Sequence, residues 1–142
     1  MLTVPEQLLL ITLDPGTGDF LKLPEEYNRA AFAGSALMEL ALAGRIDSDL
    51  DNVWVVDPAV TGDAALDPVL SAMSAAGSSS NIERFVERLV PLGAGVREAA
   101  LDALCRRGVL ERSEQKSLFR RPRTSFALQD AQGLSGLKAQ LR

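Results

Sequence analysis

Ser117 to Phe126 reads SLFRRPRTSF, with Arg120, Arg121 and Arg123 gathered around Pro122 and Leu118, Phe119 and Phe126 flanking them. Closely spaced guanidinium groups are forked, permanently charged donors suited to phosphate oxygens. Two chemistries follow from that. On nucleic acid, the arginines would neutralise backbone phosphates. On a membrane, they would meet headgroup phosphates while Leu118, Phe119 and Phe126 enter the interface, combining the two weak signals that peripheral attachment needs. A third option gives the apolar residues a packing role against the core or another copy of the chain. Composition leaves all three open.

Other chemistries fail on residue type or spacing. The chain has 142 residues and no histidine, which removes Ser-His-Asp and Cys-His catalysis, most zinc sites and the usual proton shuttle near neutral pH. Asp47, Asp49 and Asp51 alternate as in a calcium loop, but Asn52 stands where glycine is needed and Pro58 where glutamate is needed. Gly16-Thr17-Gly18 and Gly93-Ala94-Gly95 lack the lysine of a phosphate-binding loop and the glycine spacing of a dinucleotide loop, and read as turns. Arg106 and Arg107 beside Cys105 would lower a thiol pKa, yet with no histidine as base a packed helix cysteine is the simpler expectation. Glu25 and Glu26 are adjacent on a helix and point apart. No enzyme, cofactor or metal is expected.

Charge is divided along the chain. Residues 1–76 hold three Lys or Arg against twelve carboxylates, net -9, whereas residues 77–142 hold twelve against seven, net +5. Such a dipole orients the C-terminal half toward an anionic surface. The N-terminus has no basic run and only a short apolar stretch, so neither a signal peptide nor a membrane span is expected. A lone cysteine agrees with a reducing, cytoplasmic setting.

The elements that must position these residues are mainly α. Pro5 to Leu13 reads as a short helix, followed by a turn at Asp14 to Gly18 and a brief extended piece, DFLKL. Glu25 to Ala43 is a helix so apolar that burial on most sides is expected, with Gly44 as its stop. Short strands within 45–57 form a hairpin, and a helix starts late at Asp67-Pro68. Ser80 and Glu83 have capping-box spacing before Ile82, Phe85, Val86 and Leu89 at helical intervals. Pro91 to Gly95 separates that helix from another over Val96 to Arg107, and a second hairpin spans 109–128 with Arg121-Pro122 as its corner. Leu134, Leu137 and Leu141 have helical spacing in the tail. The expected fold is a single mainly α domain over 1–142, a helical bundle with two short β-hairpins.

A helix followed by a basic hairpin suits a winged helix-turn-helix, but the helix presents Arg97, Glu98 and Asp102 outward, too acidic for a major-groove reader. Nucleic acid is therefore not the expected partner. The order of ALMELALAGRI (Ala36 to Ile46), VVD, AVTGDAALDPVL, NIERFVERL and VREAALDALCRRGVL before a basic hairpin resembles the Golgi phosphoprotein 3 family over nearly the whole chain, in its bacterial form.

That resemblance implies a peripheral membrane protein binding phosphatidylinositol 4-phosphate, with a hydrophobic hairpin that touches the bilayer or mediates self-association. By position, the family's headgroup arginine in the VRE segment matches Arg97; its companion falls at Ala94, its pocket tryptophan at Pro24 near Tyr27, and its central-helix arginine at Ala33. One of four headgroup contacts is retained. The family domain continues for further helices after the hairpin, so the chain is expected either to be a fragment or to complete itself with another copy as a homo-oligomer. The expected phosphate contacts are Arg97, Arg120, Arg121 and Arg123, and Phe119 is the expected interfacial anchor.

Overall fold

The computed structural model describes residues 1–76, 80–117 and 120–128, of which 80–82, 114–117 and 120–123 are described by their backbone. Helix α1 is Val4–Ile11. It opens with a capping box in which Thr3 and Glu6 each accept from the other's backbone N–H. Val4 N–H donates to Glu39 Oε2 at 3.0 Å, tying this helix start to the long helix α2, Glu25–Leu42. Glu6 is buried, and Arg107 meets its Oε2 at 3.0 Å.

Helix α2 is central, meeting every other helix among the described residues. Phe32, Ala33, Ala36 and Leu40 form its buried stripe, and the buried Ser35 hydroxyl donates to the Phe32 carbonyl. Burial on most sides does not hold: Tyr27, Met38 and Leu42 are exposed.

Gly44 takes φ +72°, and Arg45 N–H reaches back to the Leu40 carbonyl at 2.9 Å, ending α2 in a left-handed cap. The chain then enters the expected hairpin, β1 Ile46–Ser48 and β2 Asn52–Val55. Its turn is held by Asp49 Oδ1, which accepts from the Asp51 and Asn52 N–H groups and holds the Asp49 carboxyl below its ordinary pKa. Helix α3, Asp67–Ala75, starts late as expected. A two-residue strand β3, Ser80–Asn81, joins β2 antiparallel, an addition too short to show in the sequence. Ser80 thus lies in a strand immediately before α4, Ile82–Leu89, whose Phe85 and Leu89 are buried while Val86 is exposed.

The expected break between two helices is present but shorter than Pro91 to Gly95. After a 3-10 turn at Val90–Leu92, α5 runs over Gly93–Arg106, beginning inside the supposed linker. A Cβ on Gly93 would lie 1.9 Å from the Arg29 carbonyl oxygen, so this glycine serves close approach of α5 to α2 and not a turn. Gly108, at φ +75°, ends α5 by the same device as Gly44, with Val109 N–H donating to the Leu104 carbonyl at 3.0 Å.

The second hairpin is β4 Leu110–Ser117 with β5 Arg120–Leu128. Its corner is not Arg121-Pro122. Ser117 pairs with Arg120, placing both residues inside β5, and the register shift between Gln115 and Ser117 gives β5 an extra residue. Proline lacks the N–H a regular ladder needs and is tolerated at such a bulge. The core gathers one face of each helix with Ile46, Val53 and Leu110. The fold is mainly α with short hairpins. The expected tail helix and its Leu134, Leu137 and Leu141 lie outside the described residues.

Candidate functional site

The start of α5 sets where Arg97 sits. Gly93 seats the helix against α2, and Val96, Ala100 and Leu104 turn inward. Arg97 follows Val96 and emerges at the edge of the core, its side chain 23% exposed. Its guanidinium carbon lies 5.0 Å from the centroid of the Phe20 ring, and its Nη1 is 3.6 Å from Glu98 Oε1. A guanidinium over a ring is attracted by the ring face and still has N–H groups to offer oxygen acceptors.

Phe20 lies in the piece DFLKL, which folds back on the end of α1 through the turn at Asp14 to Gly18. Leu13 and Phe20 form an isolated antiparallel bridge, with Asp14 N–H to Asp19 O and Leu21 N–H to Thr12 O closing the ring of contacts at 2.8 and 2.7 Å. Asp14 Oδ1 accepts from Gly16 N–H. Gly18, at φ +74°, presents its carbonyl to Phe126 N–H at 2.9 Å, and a Cβ there would come within 2.9 Å of Ser125 Cβ. Glycine is therefore required twice over, for its dihedral and for contact with β5.

Phe126 sits near the base of the hairpin, partly buried against the core. Its ring centroid is 5.2 Å from that of Phe20 with the planes tilted by 48°, and the Arg112 guanidinium carbon lies 5.5 Å from its ring. Arg112 also approaches Asp102 Oδ1 at 3.8 Å. The resulting order is Arg97, Phe20, Phe126, Arg112: two rings between two cations, contributed by α5, the 12–21 loop, β5 and β4. Each cation-ring contact is worth about 0.5–1 kcal/mol at such exposure. Phe20 and Arg112 were not singled out from the sequence, because contacts between residues so distant along the chain leave no local periodicity to read.

The other expected residues divide as follows. Arg120, Arg121 and Arg123 are on β5, where Arg120 pairs with Ser117 next to the tip, Arg123 pairs with Gln115, and Arg121 falls in the bulge between them. Leu118 and Phe119 lie outside the described residues. The remaining matched positions supply no side-chain hydrogen bond: Pro24 precedes α2, Ala33 is buried, and Ala94 is on the first turn of α5. Tyr27 is exposed.

Farther along α5, an open cleft of about 630 Å³ is lined by Ala64, Ala99, Asp102, Cys105, Arg106 and Arg112. Burial pushes the Cys105 thiol pKa up, against the opposing charge of Arg112. The adjacent arginines therefore do not activate it.

The motifs that carried the resemblance fix backbone geometry. In ELALAGRI, Glu39 receives the α1 start and Gly44 ends α2, while Arg45 donates to the Ala59 carbonyl and lies 3.7 Å from Asp57. In TGDAALDP, Asp67 Oδ1 accepts from the Thr61 N–H and hydroxyl at 2.7 and 2.6 Å, and Oδ2 from Gly62 N–H at 3.1 Å. Burial opposes the charge on Asp67, but the bonds from Thr61 and Gly62, with Arg45 nearby, hold its pKa below the ordinary value. In RRGVL, Arg107 pairs with Glu6 and Gly108 caps α5.

Among the described residues, no helix is long and apolar enough to cross a membrane, and no group of three or more acidic, cysteine or histidine side chains is placed to hold a metal ion. The model of the family described as Golgi phosphoprotein 3 (GPP34) matches residues 4–142. No curated protein matches the chain.

Proposed function

Because the chain belongs to the Golgi phosphoprotein 3 family, we propose that it attaches peripherally to cytoplasmic membrane surfaces by binding anionic lipid headgroups, phosphatidylinositol 4-phosphate among them. One juxtaposition carries this assignment. Arg97, the family-matched headgroup residue, is joined through Phe20 and Phe126 to the base of a hairpin whose second strand bears Arg120, Arg121 and Arg123. On this assignment the helices around α2 are a bundle serving as scaffold, and the protein binds without catalysing. Basic residues near an anionic surface contribute about 1 kcal/mol each, so four arginines supply one of the two signals that stable attachment takes, and the apolar residues flanking them supply the other.

The test is co-sedimentation with vesicles of neutral lipid, neutral lipid plus phosphatidylserine, and neutral lipid plus phosphatidylinositol 4-phosphate, the last two matched for total charge. Preference for the phosphoinositide is expected if Arg97 acts as a headgroup donor. Equal binding to both anionic vesicles would reduce the site to the basic hairpin. Binding to neither would overturn the assignment and favour a self-assembling module.

A further inference from the structure

We infer that Phe20 is a positioning residue for Arg97: its ring fixes the guanidinium in the orientation that meets a headgroup phosphate and couples it, through Phe126, to the base of the basic hairpin. This rests on the lipid-binding assignment above and adds to it a residue and a geometry.

An arginine at a helix edge has several rotatable bonds, and holding them in one arrangement costs entropy when a ligand binds. Here that cost is met before binding. The ring of Phe20 lies 5.0 Å beneath the guanidinium carbon, leaving the long 3.6 Å approach to Glu98 as the contact at its edge. A guanidinium is a planar fork whose N–H groups match two oxygens of a phosphate.

Phe20 is itself fixed from two independent directions. The Leu13 bridge and the turn at Asp14 hold its backbone, and the Gly18 carbonyl bond to Phe126 N–H holds the loop to β5. Its ring then rests on Phe126, whose far neighbour is Arg112. Movement at the hairpin base therefore reaches Arg97 through two ring contacts. One mechanical unit thus includes the headgroup donor and the strand carrying the other arginines.

The experiment is a double-mutant cycle of Phe20→Leu and Arg97→Lys on vesicles of phosphatidylcholine with either phosphatidylinositol 4-phosphate or phosphatidylserine at matched charge. Leucine keeps the loop apolar without a ring face, and lysine keeps the charge without a planar fork. Each single change is expected to weaken phosphoinositide binding roughly two- to fivefold, to lower the preference over phosphatidylserine, and to cost little more when combined. Additive losses, or Phe20→Leu without effect on that preference while the wild type discriminates, would overturn the inference and leave the lipid assignment standing. A wild type that binds no anionic vesicle would overturn both. Should Phe20→Leu fail to fold, Arg97→Lys with unchanged preference still refutes the role given to the planar fork. Phe20→Tyr, which restores a ring, is expected to restore binding.

Discussion

The chain uses one local device twice, with different results. Helix α2 ends at Gly44 and turns into β1–β2; helix α5 ends at Gly108 and turns into β4–β5. Both caps have a glycine at positive φ and a backbone bond from the next residue to a carbonyl five residues earlier. After the cap the two units diverge. The first hairpin has strands of three and four residues, buries Ile46 and Val53, and is covered by α3, α4 and β3. The second has strands of eight and nine residues, and its packing onto the body involves Leu110, Phe126 and Leu128 at its base. Their charges are opposite: Asp47, Asp49 and Asp51 on the first, and Arg112, Lys116, Arg120, Arg121 and Arg123 on the second, with Glu111 and Glu114 near its base. A shared stop signal therefore sets where a hairpin begins, while strand length and charge set the two hairpins apart.

The most damaging change to this arrangement is the one that separates the two helices. Gly93→Ala places a methyl group on the Arg29 carbonyl, and a clash with backbone has no side chain to yield. A loss of more than about 3 kcal/mol is expected in denaturant melts; a loss below about 1 kcal/mol would show that α5 can shift without consequence. Next comes Asp67→Asn, which removes the charged acceptor that organises the loop after the first hairpin. About 2 kcal/mol is expected at neutral pH. The Asp67 pKa is depressed on folding, so its contribution is present above the ordinary value of 3.8 and lost as pH falls through the lower folded value. The gap between wild type and Asp67→Asn in thermal melts should accordingly close below pH 3.8 and not above it. Smallest are Gly44→Ala and Gly108→Ala, at about 1 kcal/mol each. Neither added Cβ meets an atom within 4 Å, so dihedral strain alone sets the cost. Near-equal urea midpoints would sharpen the equivalence of the caps, and clearly unequal ones would break it.

What could be read from the sequence follows the same division. Helix α2, its stop at Gly44 and the late start at Asp67 rest on local chemistry, and all were legible. Gly93 was misread because glycine serves turns and close packing alike, and the choice depends on Arg29, far away in sequence. The hairpin corner was misplaced because Arg-Pro is good turn chemistry, whereas the strand pairing accommodates it in a bulge. In the candidate site, Arg97 came only from a family motif, and its ring partner Phe20 came from neither spacing nor motif. The motifs that mark the family, with Arg45, Thr61, Asp67 and Arg107, turn out to hold loops and helix ends. They explain membership of the family without specifying a ligand.

The most direct measurement of the central claim is the salt dependence of binding to anionic vesicles for two charge-reversed proteins, Arg120→Glu with Arg121→Glu on β5, and Asp47→Lys with Asp51→Lys on the first hairpin. If β4–β5 is the membrane-facing surface, the β5 variant loses at least about 2 kcal/mol of attachment at low salt and most of its salt sensitivity. The first-hairpin variant then binds at least as well as wild type. Equal effects of the two reversals in opposite directions would mean that only net charge matters, and unchanged binding by the β5 variant would contradict the account.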